Sequence, residues 1–377
     1  MNKKNIILNS YDDVSKSKIL YANTFKTIYN NQNPYTGKCL YQPHPKIVVV
    51  QNKPMRPLTE KEMDFVYDLP YTRSAHPSYK EKIPCFELIK FSITTHRGCF
   101  GGCSFCSITQ HQGKIISTRS ENSILKEVDI ITKNPDFKGI INGFGGPSAN
   151  MYGIYCEKWK SRGACINKNC LYPSICPNLK TSHHRLLNLL EKIKSRKDIK
   201  KILTGYGVRY DLALCDEEYI KMLCKDHIGG QLKIAPESFS NSVTKIMRKP
   251  GREIFEIFEK KFKYYNKLFK KEQYLITFLM SGHPGCTTKD SIETAQYIYD
   301  KNHYTEQVQA FTPTPMTIST CMYHTELDPF TMKRIYIPKS LLEKKIQRSL
   351  LQYKNLDNKK YIELALNKEN IKNCNFF

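Results

Sequence analysis

Two periodicities alternate along the middle of the chain. Short apolar and β-branched runs at 86–95 (FELIKFSITT), 139–144, 199–208, 231–235, 274–280 and 307–312 predict strands. Between them, 3.6-period patterns predict helices over 120–133, 183–196, 216–225, 241–249, 253–269 and 288–301. In the first helix Ile124, Leu125, Val128, Ile130 and Ile131 form the apolar stripe. Asp216, Glu217 and Glu218 open their helix with negative charge, and Lys221 and Lys225 follow toward its end, as the macrodipole favours. Thr287 followed by Asp290 has the spacing of a capping box.

Strands that alternate with helices predict an α/β fold with a parallel sheet, open or curled into a barrel. Chemistry in such folds gathers at the carboxyl ends of the strands. The unusual sequences fall there: a cysteine cluster after the first strand, Gly145-Gly146-Pro147 after the second and Arg209 after the third. Pro236-Glu237-Ser238 follows the fourth strand and Ser281-Gly282-His283 the fifth. Residues 148–182 break the rhythm as a long insertion without periodicity. The flanks differ from this centre. Residues 1–84 are polar and dotted with proline, with one buried strand expected at 46–50. Beyond 325, two apolar patches at 340–353 and 361–366 are too small to fold alone.

Composition changes the picture in two ways. The 377 residues carry 59 Lys and Arg against 35 Asp and Glu, a net charge of +24, which invites an acidic partner. No apolar run approaches the ~18 residues of a membrane span, and the first residues lack a secretory signal, so a cytoplasmic location without a membrane partner is expected. The 14 cysteines bunch. Cys99, Cys103 and Cys106 form one group, and Cys156, Cys165, Cys170 and Cys176 another. Cys39, Cys85, Cys215, Cys224, Cys286, Cys321 and Cys374 read as ordinary thiols, because a reducing compartment disfavours disulfides.

Cys99-x3-Cys103-x2-Cys106 puts three thiolates on a glycine-rich loop, where each can reach a different iron of one cubane and leave the fourth iron open. Structural zinc wants four ligands, and His96 or His111 fits no usual spacing. A dithiol would leave Cys99 unexplained, and Ser107 stands where c-type haem needs histidine. The iron–sulfur reading is favoured over zinc.

The stretch from Arg97 to Ser120 around these cysteines resembles the radical S-adenosylmethionine (SAM) superfamily and, within it, the YgiQ family. The similarity continues through Gly145–Tyr152, Tyr206-Gly-Val-Arg209-Tyr-Asp-Leu212, Leu232-Lys-Ile-Ala-Pro-Glu237, His283-Pro-Gly, Gln307-Val-Gln, Pro313-Thr-Pro-Met316, Met322-Tyr-His324 and 337–353. The resemblance implies a partial (β/α)6 TIM-type barrel over 85–325, with 1–84 a remnant of an N-terminal region and 326–377 the start of a C-terminal one. It also implies a [4Fe-4S] cluster on Cys99, Cys103 and Cys106, and reductive cleavage of SAM to a 5′-deoxyadenosyl radical, with an electron donor as partner. SAM contacts would fall to Phe105, Gly145, Gly146, Arg209, Glu237, Ser281 and Gly282. Two departures stand out: Pro147 replaces the glutamate of the usual Gly-Gly-Glu, and the chain is short for the family.

Four thiols at Cys156, Cys165, Cys170 and Cys176 suit zinc or a second, fully ligated cluster, although the spacing lacks a CxxC knuckle. Lysine runs at 192–201 and 260–271, the second with Tyr264 and Tyr265, could meet RNA, but solvated lysine faces are the favoured reading. His283 and His324 read as hydrogen-bonded loop histidines rather than proton donors. The alternative for the whole chain is a non-catalytic RNA-binding module stapled by zinc or a cluster.

Overall fold

The computed structural model describes residues 5–371, so Met1–Lys4 and Cys374 lie outside the described residues. An N-terminal sheet holds β1 (Ile6–Ile7), β2 (Leu40–Pro43) and β3 (Val48–Gln51), with β1 parallel and β3 antiparallel to β2. The central strands are β4 (Ser92–Thr94), a small hairpin of β5 (His96–Arg97) and β6 (Ser117–Thr118), then β7 (Ile140–Ile141) and β8 (Gly143–Gly145). β9 (Lys201–Ile202), β10 (Gln231–Glu237), β11 (Tyr274–Ser281) and β12 (Val308–Ala310) complete the set.

Apart from the hairpin, the central strands run parallel in chain order: β4 with β8, β7 with β9, and β10 with β11 and then β12. β7 and β8 are one strand interrupted at Asn142, whose N–H turns to the Phe91 carbonyl. β9 reaches the next unit through its loop, where Thr204 N–H donates to the His227 carbonyl and His227 Nδ1 meets the Ile202 carbonyl at 2.9 Å. This is a partial (β/α)6 barrel of the TIM type.

Helices Glu121–Thr132, His184–Lys194, Glu217–Asp226, Arg252–Leu268 and Thr288–Asp300 cover it. Their apolar stripes (Ile124, Val128 and Ile131; Leu186, Leu189, Leu190 and Ile193; Phe255, Phe258 and Phe262) pack on Ile93, Ile141, Ile202, Leu232 and Leu279 in one core. The caps follow the chemistry of their residues. Asp216 accepts from Tyr219 N–H, and Thr287 with Asp290 closes the capping box.

Several expectations need correction. Residues 86–89 are helix rather than strand, part of Pro84–Ile89, because Pro84 takes the first helical position and Lys90 pairs with Glu87 at 2.9 Å. The first strand therefore shrinks to Ser92–Thr94. The third strand is two residues long, since Gly205 and Gly207 turn the chain soon after it. Ile130 lies on the solvent side of its helix, 53% exposed. The expected buried strand at 46–50 is an edge strand: Val48, Val49 and Val50 are 44–54% exposed because β3 has a sheet neighbour on one side only.

The flanks dock on the barrel. Helix Lys18–Asn30 presses Ala22, Phe25 and Tyr29 against Ile318, Cys321 and Met322 of helix Ile318–Thr325. Helices Leu341–Leu351 and Lys359–Lys368 bury Ile346, Leu350 and Ile362 against Ile292 and Ala295. No helix among the described residues is long and apolar enough to cross a membrane.

Candidate functional site

The loop from Cys99 to Cys106 leaves β5 and is tied on three sides. Cys99 N–H donates to the Gly113 carbonyl (3.0 Å), Ser104 N–H to the Met247 carbonyl (2.9 Å), and Gly98 N–H to Gln112 Oε1 (3.1 Å). Glycine leaves room for neighbours at two of its positions. Gly102 has φ +64°, and a Cβ there would stand 2.8 Å from Asn169 Oδ1. A Cβ on Gly101 would meet Arg209 Nη1 at 3.0 Å and Cys99 Sγ at 3.4 Å. Phe100 is buried against Trp159 of the insertion, ring centres 5.8 Å apart.

The three thiols share one environment. Burial pushes the Cys106 thiol up to about 12, with the neighbouring Cys103 and Cys99 adding to the shift. Cys99 is raised by burial and by Cys103, and eased by the cations Arg209 and Lys249. Among the described residues no group of His, Cys, Asp and Glu side chains is arranged as a site for a single metal ion.

Arg209, at the end of the third β/α unit, reaches this loop. Its Nη1 stands 3.3 Å from Cys103 Sγ, while Nε donates to Asp211 Oδ1 at 2.9 Å. Both partners are buried, and Arg209 holds the Asp211 carboxyl below its ordinary range against the effect of burial. Asn150, just after the Gly-Gly-Pro turn, clamps the backbone of Arg209: its Oδ1 accepts from Arg209 N–H and its Nδ2 donates to the Arg209 carbonyl, both at 3.0 Å.

Glu237 ends β10 at a bulge with φ +70°. It is half-buried, its carboxyl forms no hydrogen bond or ion pair among the described residues, and burial raises its pKa despite Lys249 and Arg209. Gly145 has φ +147°, and a Cβ on Gly146 would lie 2.6–2.8 Å from the carbonyl oxygen and ring of His96. The Gly-Gly pair therefore lets two chain segments approach closely. Phe105 packs with Val243, Met247 and Cys286 and edges against His283 at 6.0 Å. Ser281 Oγ lies 3.5 Å from the Gln309 carbonyl, and Gly282 N–H donates to Gln347 Oε1 at 3.0 Å.

Sequence reasoning missed Asp211, Asn150, Lys249 and Gln347, which carry no motif of their own. Asp211, Asn150 and Gln347 lie inside stretches that carry the family resemblance, but nothing in those stretches marks their roles. His283 is fully buried, with Nδ1 on the Pro284 carbonyl and Nε2 on Ser319 Oγ, both 2.7 Å. Ser319 Oγ in turn stands 2.8 Å from Ser104 Oγ on the cysteine loop. His324 is exposed on a helix and packs on Tyr21. All the described cysteines are free, with Cys224, Cys286 and Cys321 buried and Cys39, Cys85 and Cys215 at least partly exposed. Several of the lysine-run charges are engaged: Lys192 with Glu121, Lys194 with Asp226, Lys261 with Glu217 and Lys263 with Glu259.

A three-cysteine loop thus stands at the carboxyl ends of the parallel strands, faced by buried charges. Residues 1–92 match the family model described as Radical SAM N-terminal. Residues 306–372 match a domain of unknown function, DUF3362. Its particular relatives are UPF0313 proteins. That of Methanosarcina acetivorans is 58% identical over 97% of this chain and 49% of its own length. Those of Methanocella arvoryzae and Clostridium botulinum (strain Loch Maree / Type A3) are 50% and 45% identical, over 60% and 57% of their lengths. The chain thus spans about half to three fifths of the length of these curated relatives. Two solved structures of TsrM, a radical SAM methyltransferase from Kitasatospora setae, match with TM-scores of 0.41 and 0.44 at 13% and 12% identity. They cover 66% and 74% of this chain and 41% and 46% of theirs.

Proposed function

We propose that Cys99, Cys103 and Cys106 hold a [4Fe-4S] cluster and that the cleft beside them binds SAM for reductive cleavage. The observation that carries this reading is Arg209 Nη1 at 3.3 Å from Cys103 Sγ. A cubane bound by three thiolates is negatively charged, and a cation fixed by Asp211 and Asn150 balances that charge without needing to reorganise. The donor set fits the group: three close thiols, glycines where side chains would intrude, and Lys249 as a second buried cation.

A reduced cluster held by Cys99, Cys103 and Cys106 would supply the one electron that reductive cleavage of SAM requires. The chain's own residues bind and exclude water. Pro147 offers no carboxylate, so the amino group of SAM falls to Glu237, whose unpaired carboxyl regains its charge beside a cation. Gly145 and Gly146 leave room for the methionine end. Phe105 and the Ser281–Gly282 turn flank the adenosyl end. The N–H of Gly282 is already taken by Gln347, so that turn offers a surface rather than a donor. Arg209 acts on the cluster side rather than on the SAM carboxylate, since Asp211 and Cys103 occupy its guanidinium. A one-electron reductant is the implied partner.

The test is low-temperature electron paramagnetic resonance of anaerobically reconstituted, dithionite-reduced protein. A [4Fe-4S] signal that shifts on adding SAM is expected, and Glu237→Gln should weaken the SAM titration while leaving the SAM-free signal unchanged. A cluster signal indifferent to SAM overturns the reading.

A further inference from the structure

The insertion at 148–182 holds four thiols that the site above does not use. Its regular structure is slight: one turn of 3-10 helix at Ala149–Met151, helix Trp159–Arg162, and a single bridge between Tyr155 and Lys180. A segment this long with so few backbone bonds needs another source of order. Part is apolar: Trp159, Leu171 and Leu179 are buried, with Ile175 packed against them. Cys156, Cys170 and Cys176 belong to the same packing group, and all four cysteines line one cavity of about 670 Å³.

The four thiols share the wall of that cavity. Cys176 N–H donates to the Cys170 carbonyl at 2.9 Å, which folds 170–176 back on itself, and Asn178 Nδ2 lies 3.9 Å from Cys176 Sγ. The charge around them is one-sided. Lys158, Lys168 and Arg248 line the cavity and no Asp or Glu does. Four neutral thiols do not call for such a wall, whereas four thiolates on a metal carry net negative charge.

We propose that Cys156, Cys165, Cys170 and Cys176 form a second metal centre of four thiolates, seated against the three-cysteine loop. The seat is direct. Asn169, adjacent to Cys170, abuts Gly102, adjacent to Cys103, and Trp159 packs on Phe100. Four sulfur donors close the coordination shell, so this centre staples the insertion and leaves no position open for substrate. As they stand the four thiols do not close on a single ion, which the wider spacing of an iron–sulfur cluster does not require and zinc would, and the measurement separates the two. The inference does not rest on SAM binding at the first site.

The test removes the first site. The Cys99→Ala/Cys103→Ala/Cys106→Ala chain, purified anaerobically and checked for folding by far-UV circular dichroism, is assayed for iron, sulfide and zinc. Retention of about four irons with matching sulfide identifies a cluster, and about one zinc per chain identifies zinc. In either case, adding Cys165→Ser and Cys170→Ser should lower the retained metal at least fivefold. Cys165 is exposed, so a readout independent of folding the fivefold-substituted chain exists. Alkylation of Cys165 in the triple variant, mapped by mass spectrometry, should rise severalfold after treatment with a chelator. A folded triple variant without metal, metal that survives the two serines, or Cys165 alkylation indifferent to chelator overturns the proposal.

Discussion

At the scale of single residues, the chain spends its buried polar groups on orientation. His283 illustrates this. Its Nδ1 lies on a carbonyl, which accepts only, so Nδ1 carries the proton, and Nε2 stands against Ser319 Oγ. Burial pulls its pKa down from 6.5 to about 3. A histidine that resists protonation when folded binds fewer protons than the unfolded chain. Its contribution to stability is therefore complete above pH 6.5 and lost steadily as pH falls toward 3. Between pH 6.5 and 5 that loss is about 2 kcal/mol. Urea unfolding of His283→Gln at pH 7 and pH 5 should show a fall in stability smaller by about that amount than in the parent chain. Equal falls in both chains would remove the buried neutral ring from the account.

At the scale of elements, the site depends on segments that meet end to end. Gln347, on helix Leu341–Leu351, accepts from Gly282 N–H and donates to the Cys286 carbonyl at 2.7 Å, so a C-terminal helix pins the loop after β11. Gln347 is fully buried, and an apolar replacement strands both backbone groups. Gln347→Leu should cost about 2–4 kcal/mol, read as a lower urea midpoint. Gln347→Glu keeps the acceptor and loses the donor, and should fall further at pH 8 than at pH 5. An unchanged midpoint for both would mean that the loop holds itself. The helices and the capping box at Thr287 and Asp290 were legible because their signals are local. The ends of strands were less so: 86–89 has strand-like residues, yet Pro84 and the Glu87–Lys90 pair turn it into helix.

For the whole molecule, the flanks are part of the barrel's packing. Phe25 and Tyr29 meet Ile318 and Met322 across some 300 residues of sequence, and Tyr29 also reaches Lys114 near the cysteine loop. Phe25→Ala should cost about 3–5 kcal/mol. If flank and barrel unfold together, the fluorescence of Trp159, the single tryptophan, and far-UV circular dichroism will shift to the same lower midpoint. Separate transitions would show the N-terminal helices as an independent unit. Charge is also settled at this scale. Lysine runs that look unbroken along the chain meet Glu121, Asp226, Glu217 and Glu259 once helices pack side by side.

By itself the chain's order of residues determined the alternation of strand and helix, the end of the sheet where chemistry gathers, and the two cysteine groups, because periodicity, caps and thiol spacing act within about 20 residues. Only the tertiary structure decided what each charge is for. Arg209 stands on Cys103 and not in an open cleft because Asp211 and Asn150, on two segments about 60 residues apart in sequence, hold it there. Glu237 keeps a carboxyl without a hydrogen-bond partner at the bulge where β10 ends, although its backbone still pairs with Leu279. The edge valines of β3 show the same limit from the other side. An apolar run states that a strand forms, while its burial depends on what folds over it, and only β2 lies beside it.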